Sequence, residues 1–280
     1  MLAVGPAEPA GGLFFFNQWL SRARGCPLSL AVDTRQLPEN PVWQNEVTEL
    51  LQAYTSRAVR LHVTLDRATV ANLLLKDVPI LEDLTLTSDH HEGPQSVIVQ
   101  PQPRLRSLTL NLIVFSAGAR FAFEHFWTHL TQLRPGVTLG SKHLLSPDMD
   151  GSVVLTLLAL CPHLQDLTFS SMSISLYDVE RHALTHSNLR WLRIRVLRGT
   201  RFLLDALTLP ALRYLKIRTR DLSYTGRTTW PQNEFKAFVA RSRCPLKTLK
   251  ILKHCGNVSS KEEAEYVALI PTLKHVDLRL

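Results

Sequence analysis

The stretch LPALRYLKI, residues 209–217, sets a proline just ahead of a Leu-x-x-Leu-x-Ile run, and six other stretches do something similar. They are VPILEDLTL (78–86), PRLRSLTL (103–110), CPHLQDLTF (161–169), HSNLRWLRI (186–194), CPLKTLKI (244–251) and IPTLKHVDL (270–278). All seven fit Leu-x-x-aliphatic-x-aliphatic, with Phe169 taking the last place once. The first leucines are Leu81, Leu105, Leu164, Leu189, Leu212, Leu246 and Leu273, at intervals of 24, 59, 25, 23, 34 and 27. The longest interval has room for two units, and its middle offers only a degenerate candidate, GVTL at 136–139.

In so aliphatic a chain, three apolar residues at fixed spacing recur by chance. The proline adds information: six of the seven copies carry it one or two residues before the first leucine. There it ends a preceding helix, because the residue before a proline avoids the α region. The unit reads as helix, proline stop, short strand, loop, next helix. Strand–helix units repeating at roughly 20–29 residues are the leucine-rich-repeat signature. The expectation is an α/β chain, a right-handed leucine-rich-repeat solenoid with a parallel sheet on the concave face and helices outside.

Residues 1–12 are small and rich in Pro and Gly, and are expected to form a disordered tail. Residues 13–280 are expected to form one irregular repeat domain. Helices are predicted at 14–25, 41–58, 121–133, 147–160, 176–186, 201–209, 233–242 and 261–270, with strands at 26–33 and 59–65 before the first clean unit. Ser146, Ser175 and Ser260 are candidate helix caps, the last with Glu263 three residues on. The longest apolar run, 153–161, is too short to span a bilayer, and no secretory signal is read at the start. The expected setting is intracellular, cytoplasmic or nuclear, with no membrane partner.

Four cysteines, Cys26, Cys161, Cys244 and Cys255, lie far apart, three of them as Cys-Pro at strand starts. They read as small buried apolar residues in a reducing compartment. His125 and His129 have metal-ligand spacing, but HFWTH lacks a zincin glutamate and no third ligand is indicated. His90 and His91 read as loop residues. No nucleophile elbow, phosphate loop or dinucleotide fingerprint is present. The expectation is no enzyme, no metal and no cofactor.

Charge is distributed unevenly. Residues 187–256 hold sixteen Lys/Arg and three Asp/Glu, a net of +13 against +8 for the whole chain. Alternation along a strand puts the residues around the last two apolar positions on the open face. In successive units these are Asp166/Thr168/Ser170, Trp191/Arg193/Arg195, Tyr214/Lys216/Arg218, Thr248/Lys250/Leu252 and His275/Asp277/Arg279. Parallel strands stack about 4.8 Å apart, so Arg193 should adjoin Lys216, Arg195 should adjoin Arg218, and Trp191 and Tyr214 should be neighbours. Soluble polar residues would serve any open strand face. Clustered cations repel, however, and exposed Trp and Tyr beside Arg are interface types. Trp191, Arg193, Arg195, Tyr214, Lys216, Arg218 and Lys250 are therefore the expected partner-binding residues. Their expected complement is an acidic protein segment, with nucleic acid or another polyanion as the alternative.

CPLSLAV after a Trp-Leu helix, the PxLxxLxL strands and above all FLLDALTLPALRYLKI (202–217) resemble the leucine-rich-repeat region of F-box proteins of mushroom-forming fungi, over residues 13–280. The resemblance implies a substrate-recognition part of a ubiquitin-ligase receptor. In that family an F-box docks on the Skp adaptor of a cullin ligase. No F-box is found in residues 1–280, so adaptor docking is expected only through an F-box upstream.

Overall fold

The computed structural model describes residues 2–3, 18–23, 25–33, 49, 53–65, 78–88, 104–111, 127–136, 151–173, 183–198, 200–219, 230–252 and 260–279. It is an α/β protein built on parallel sheet. The chain divides into two compact units, one of residues 1–130 and 134–142, the other of residues 131–133 and 143–280.

In the first unit, strands β1 (Leu2–Ala3), β2 (Leu28–Asp33), β3 (Ala58–Leu65), β4 (Asp83–Ser88) and β5 (Ser107–Asn111) pair in sequence order, all parallel. The register aligns Leu61, Leu84 and Leu108 in one row, all buried. His62, Thr85 and Thr109 align in the alternate, less buried row.

In the second unit the strand order is residues 132–133 of β6 (Gln132–Gly136), then β7 (Asp166–Ser173), β9 (Trp191–Arg198), β11 (Tyr214–Thr219), β12 (Thr248–Leu252) and β13 (His275–Arg279). Two short strands, β8 (Leu184–Thr185) and β10 (Leu207–Thr208), form a separate parallel pair. The expected apolar ladder is present. Leu167, Leu192, Leu215, Leu249 and Val276 align in one row, and Phe169, Ile194, Ile217, Ile251 and Leu278 in the next. Leu192, Ile194, Leu215, Ile217, Leu249 and Ile251 are at most 3% exposed. Each such side chain contributes roughly 1.5–3 kcal/mol of burial.

The proline has a more specific role than ending a helix. In four units the first leucine donates its N–H to the carbonyl three residues back, and in a fifth Leu246 donates to Cys244 O, two residues back. Leu81 bonds Val78 at 3.1 Å, Leu164 bonds Cys161 at 3.0 Å, Leu212 bonds Leu209 at 3.2 Å and Leu273 bonds Ile270 at 3.0 Å. This is a β-turn with proline in its second position, where its fixed φ fits and no N–H is needed. The residue before the proline also closes the helix: Cys161 N–H reaches Leu157 O and Ile270 N–H reaches Tyr266 O, both at 3.0 Å.

A second repeated device sets the register. The carbonyl just after each first leucine accepts two N–H groups from the next unit. Gln165 O takes Arg190 and Trp191 at 2.9 Å, and Arg190 O takes Arg213 at 2.9 Å and Tyr214 at 3.0 Å. Arg213 O and Lys247 O each do the same at 2.8 and 3.1 Å. A carbonyl has two lone pairs, so one acceptor starts two rungs.

The same signature finds the unit hidden in the longest interval. Thr131 O accepts from Gln165 N at 2.8 Å and from Asp166 N at 3.0 Å. Leu130 and Leu133 are fully buried, and Gln132 and Leu133 pair with Asp166 and Leu167. The unit is therefore LTQLRP, starting at Leu130, with proline in the third apolar place. Within the predicted helix 121–133, residues 127–129 form a short 3-10 turn and strand β6 begins at Gln132. In the candidate GVTL, Gly136 ends β6, and the rest lies outside the described residues. Likewise the end of the predicted helix 176–186 is strand β8.

The remaining helices of this unit are α1 (Gly151–Leu160), α2 (Thr200–Ala206), α3 (Gln232–Ser242) and α4 (Ser260–Leu269). Arg201 of α2 pairs with Glu234 of α3, and Lys236 of α3 pairs with Glu265 of α4, both at 2.8 Å. Beneath them Phe235 packs edge-on to Tyr266 at 5.2 Å. Arg241 reaches back to the carbonyls of Leu204 and Leu207, the second at 2.9 Å, and so caps the end of α2.

Cys161 and Cys244 are buried free thiols, and burial pushes the Cys161 pKa up to about 12. Cys26, expected inside, is exposed, because it lies in the segment leading into β2, whose buried positions begin only at Leu28. Cys255, His90, His91, His125, Ser146 and Ser175 lie outside the described residues. No described helix is long and apolar enough to cross a membrane.

Candidate partner-binding face

The open face of β9, β11 and β12 carries the expected residues in three rows. Trp191, Tyr214 and Thr248 are aligned, then Arg193, Lys216 and Lys250, then Arg195, Arg218 and Leu252. All seven expected residues thus share one patch. None of them is buried, because the alternate side chains on each strand fill the core.

The rings of Trp191 and Tyr214 stack at 5.3 Å with planes 29° apart. Trp191 remains 41% exposed, an unusual degree for so large an apolar surface. The Arg193 guanidinium lies 5.1 Å from the centre of the Tyr214 ring, within cation–π range. Tyr214 therefore orders both neighbours, and a partner would meet a rigid aromatic–cation group at low entropic cost.

Two carboxylates sit in the same face. Asp166 Oδ2 is 3.8 Å from Arg193 and Asp277 Oδ2 is 3.7 Å from Lys250. Thr168 Oγ1 also donates to Asp166 Oδ1 at 3.5 Å. Both aspartates are largely buried, at 9% exposure. Sequence reasoning placed them on this face yet treated the cations as mutually repelling. The register was enough to show the match for Lys250, since Asp277 is its direct neighbour. Asp166 is aligned with Trp191, and only the bend of the Arg193 side chain brings it into range.

Arg193 and Lys250 thus have internal counter-charges, and Lys216 lies between them. Among the described residues, Lys216 and Arg218 form no ion pair. Chemically the patch offers hydrogen-bond donors, positive charge and one flat apolar surface. His129, the one described member of its pair, is exposed in the short 3-10 turn. Among the described residues no group of three or more His, Cys, Asp or Glu converges on a common point.

No family model matches the chain, and neither a curated protein nor a solved structure matches it.

Proposed function

We propose that this chain is a right-handed leucine-rich-repeat solenoid with its helices outside, and that it binds an acidic segment of a partner protein on the open sheet face. By its resemblance to fungal F-box proteins, the role is substrate recognition for a ubiquitin ligase inside the cell. The supporting observation is the juxtaposition of the stacked Trp191–Tyr214 pair with Arg193, Lys216 and Lys250. Aromatic and arginine anchors of this kind dominate binding energy at interfaces.

The test is titration of the chain with an unlabelled peptide bearing two adjacent acidic residues followed by Phe, read by calorimetry. Arg193→Glu combined with Lys216→Glu should weaken binding by more than about tenfold, since charge reversal adds repulsion to the lost attraction. The fold should persist with a lower melting temperature, because Arg193→Glu sets a like charge beside the largely buried Asp166, so the affinities are compared where both proteins are folded. Equal affinity for parent and double variant would overturn the reading.

A second reading, binding of nucleic acid, is favoured by the +13 net charge of residues 187–256. It would give a steep fall of affinity with salt, about −0.7 in log–log slope per phosphate contacted on a single strand.

A further inference from the structure

We infer that the open face reads an extended segment of the pattern apolar-x-acidic-x-acidic, with the apolar side chain on Trp191 and the two carboxylates at Lys216 and Arg218. The inference rests on the binding function proposed above and adds the spacing and conformation of the ligand. Trp191 is aligned with Tyr214, and Tyr214, Lys216 and Arg218 follow at every second residue of β11. Residues two apart on a strand face the same side, about 6.6 Å from each other. The apolar contact and the two cations therefore form equal steps along one line. Lys216 is half-buried and Arg218 is exposed, and among the described residues neither forms an ion pair.

The period selects the conformation of the ligand. An extended chain also advances about 6.6 Å for every second residue. Laid along β11, it keeps alternate side chains over all three positions, while the residues between them point to solvent and are not read. A helix comes close to this step with residues four apart, a rise of about 6.0 Å, but each such pair is rotated by about 40°. Across the three positions the rotation reaches about 80°, and the third side chain leaves the face. The same comparison sets the line of travel. Neighbouring strands lie about 4.8 Å apart, so an extended chain crossing them would fall out of step with the row Arg193, Lys216 and Lys250. The chemistry matches the positions. The Trp191 ring is 41% exposed and stacked on Tyr214, which makes a fixed apolar surface at one end of the line. A Phe side chain settles on it without further ordering of the receptor. Lys216 and Arg218 then supply charged donors to the carboxylates.

The experiment titrates the chain, by calorimetry, with end-capped Gly/Ser peptides that each carry one Phe and two Glu. The glutamates stand two and four, one and three, or four and eight residues from the Phe, and each peptide is made in both chain directions. In its better direction the two-and-four peptide should bind at least about threefold more tightly than either other spacing. Exchanging its nearer Glu for Gln should weaken binding at least about threefold on the parent and less than about 1.5-fold on Lys216→Gln, which places that carboxylate at Lys216. Equal affinity for the three spacings, or a preference for either of the other two, overturns the inference and leaves the acidic-segment reading standing. An equal cost of the exchange on parent and variant overturns it in the same way. Binding of the diacidic peptide used above, with none of these three bound, also removes only the inference. If the parent binds none of the four peptides, the proposed function falls with it.

Discussion

His186 stands in for a backbone carbonyl toward Leu189. Its Nδ1 accepts the Leu189 N–H at 3.2 Å, the proton that other units give to the residue before their proline. Its Nε2 then carries the ring proton and donates to Cys161 O at 2.8 Å, tying this turn to the previous one. The imidazole is buried, and Ser187 occupies the place of the missing proline. A side chain has replaced a local turn by a bond between units.

His186→Ala should therefore destabilise the fold by roughly 1–3 kcal/mol, the cost of leaving buried polar groups unsatisfied. The urea midpoint measures it. An unchanged midpoint would mean that the turn re-forms with the carbonyl of residue 186.

Leu215→Ala removes a side chain that is 1% exposed at the centre of the ladder. The expected cost is about 2–5 kcal/mol. Leu130→Ala should fall in the same range, since Leu130 is fully buried in the unit that has no third aliphatic residue. A loss below about 1 kcal/mol at Leu130 would remove it from the repeat series.

Arg241→Met keeps most of the apolar stem and deletes the cap on α2. Because Arg241 is exposed, a modest loss of about 1–2 kcal/mol is expected in thermal melts. Raised salt should leave this difference largely in place, since the acceptors are carbonyl groups and not ions.

Alkylation of the folded chain at pH 8 should modify Cys26 and spare Cys161 and Cys244, as mapped by mass spectrometry. The thiol of Cys161 keeps its proton up to about 12 when folded, against an ordinary value of 9.0. Its stabilising effect is thus whole below pH 9 and declines as pH rises toward 12, because the unfolded chain releases that proton first.

A pull-down of residues 1–280 with the Skp adaptor should give no stoichiometric complex. Robust binding would place an adaptor-docking element within this chain.

The parallel strands, their register and the residues on the open face were legible in the order of residues alone. These follow from period-2 alternation, which leaves a strand one way to bury its leucines. That order also placed Trp191, Tyr214 and the cations in adjacent rows. Contacts between residues distant in the chain account for the rest. Leu130 begins a unit because Thr131 O lies where Gln165 and Asp166 need an acceptor. A pattern demanding an aliphatic residue at 135 could not detect that, and the aromatic run before it reads as helix. Proline's place within a turn emerged only with the bond from the first leucine. Asp166 compensates Arg193 across a diagonal that strand spacing alone does not define, because a long side chain chooses its direction from the charges and rings around it.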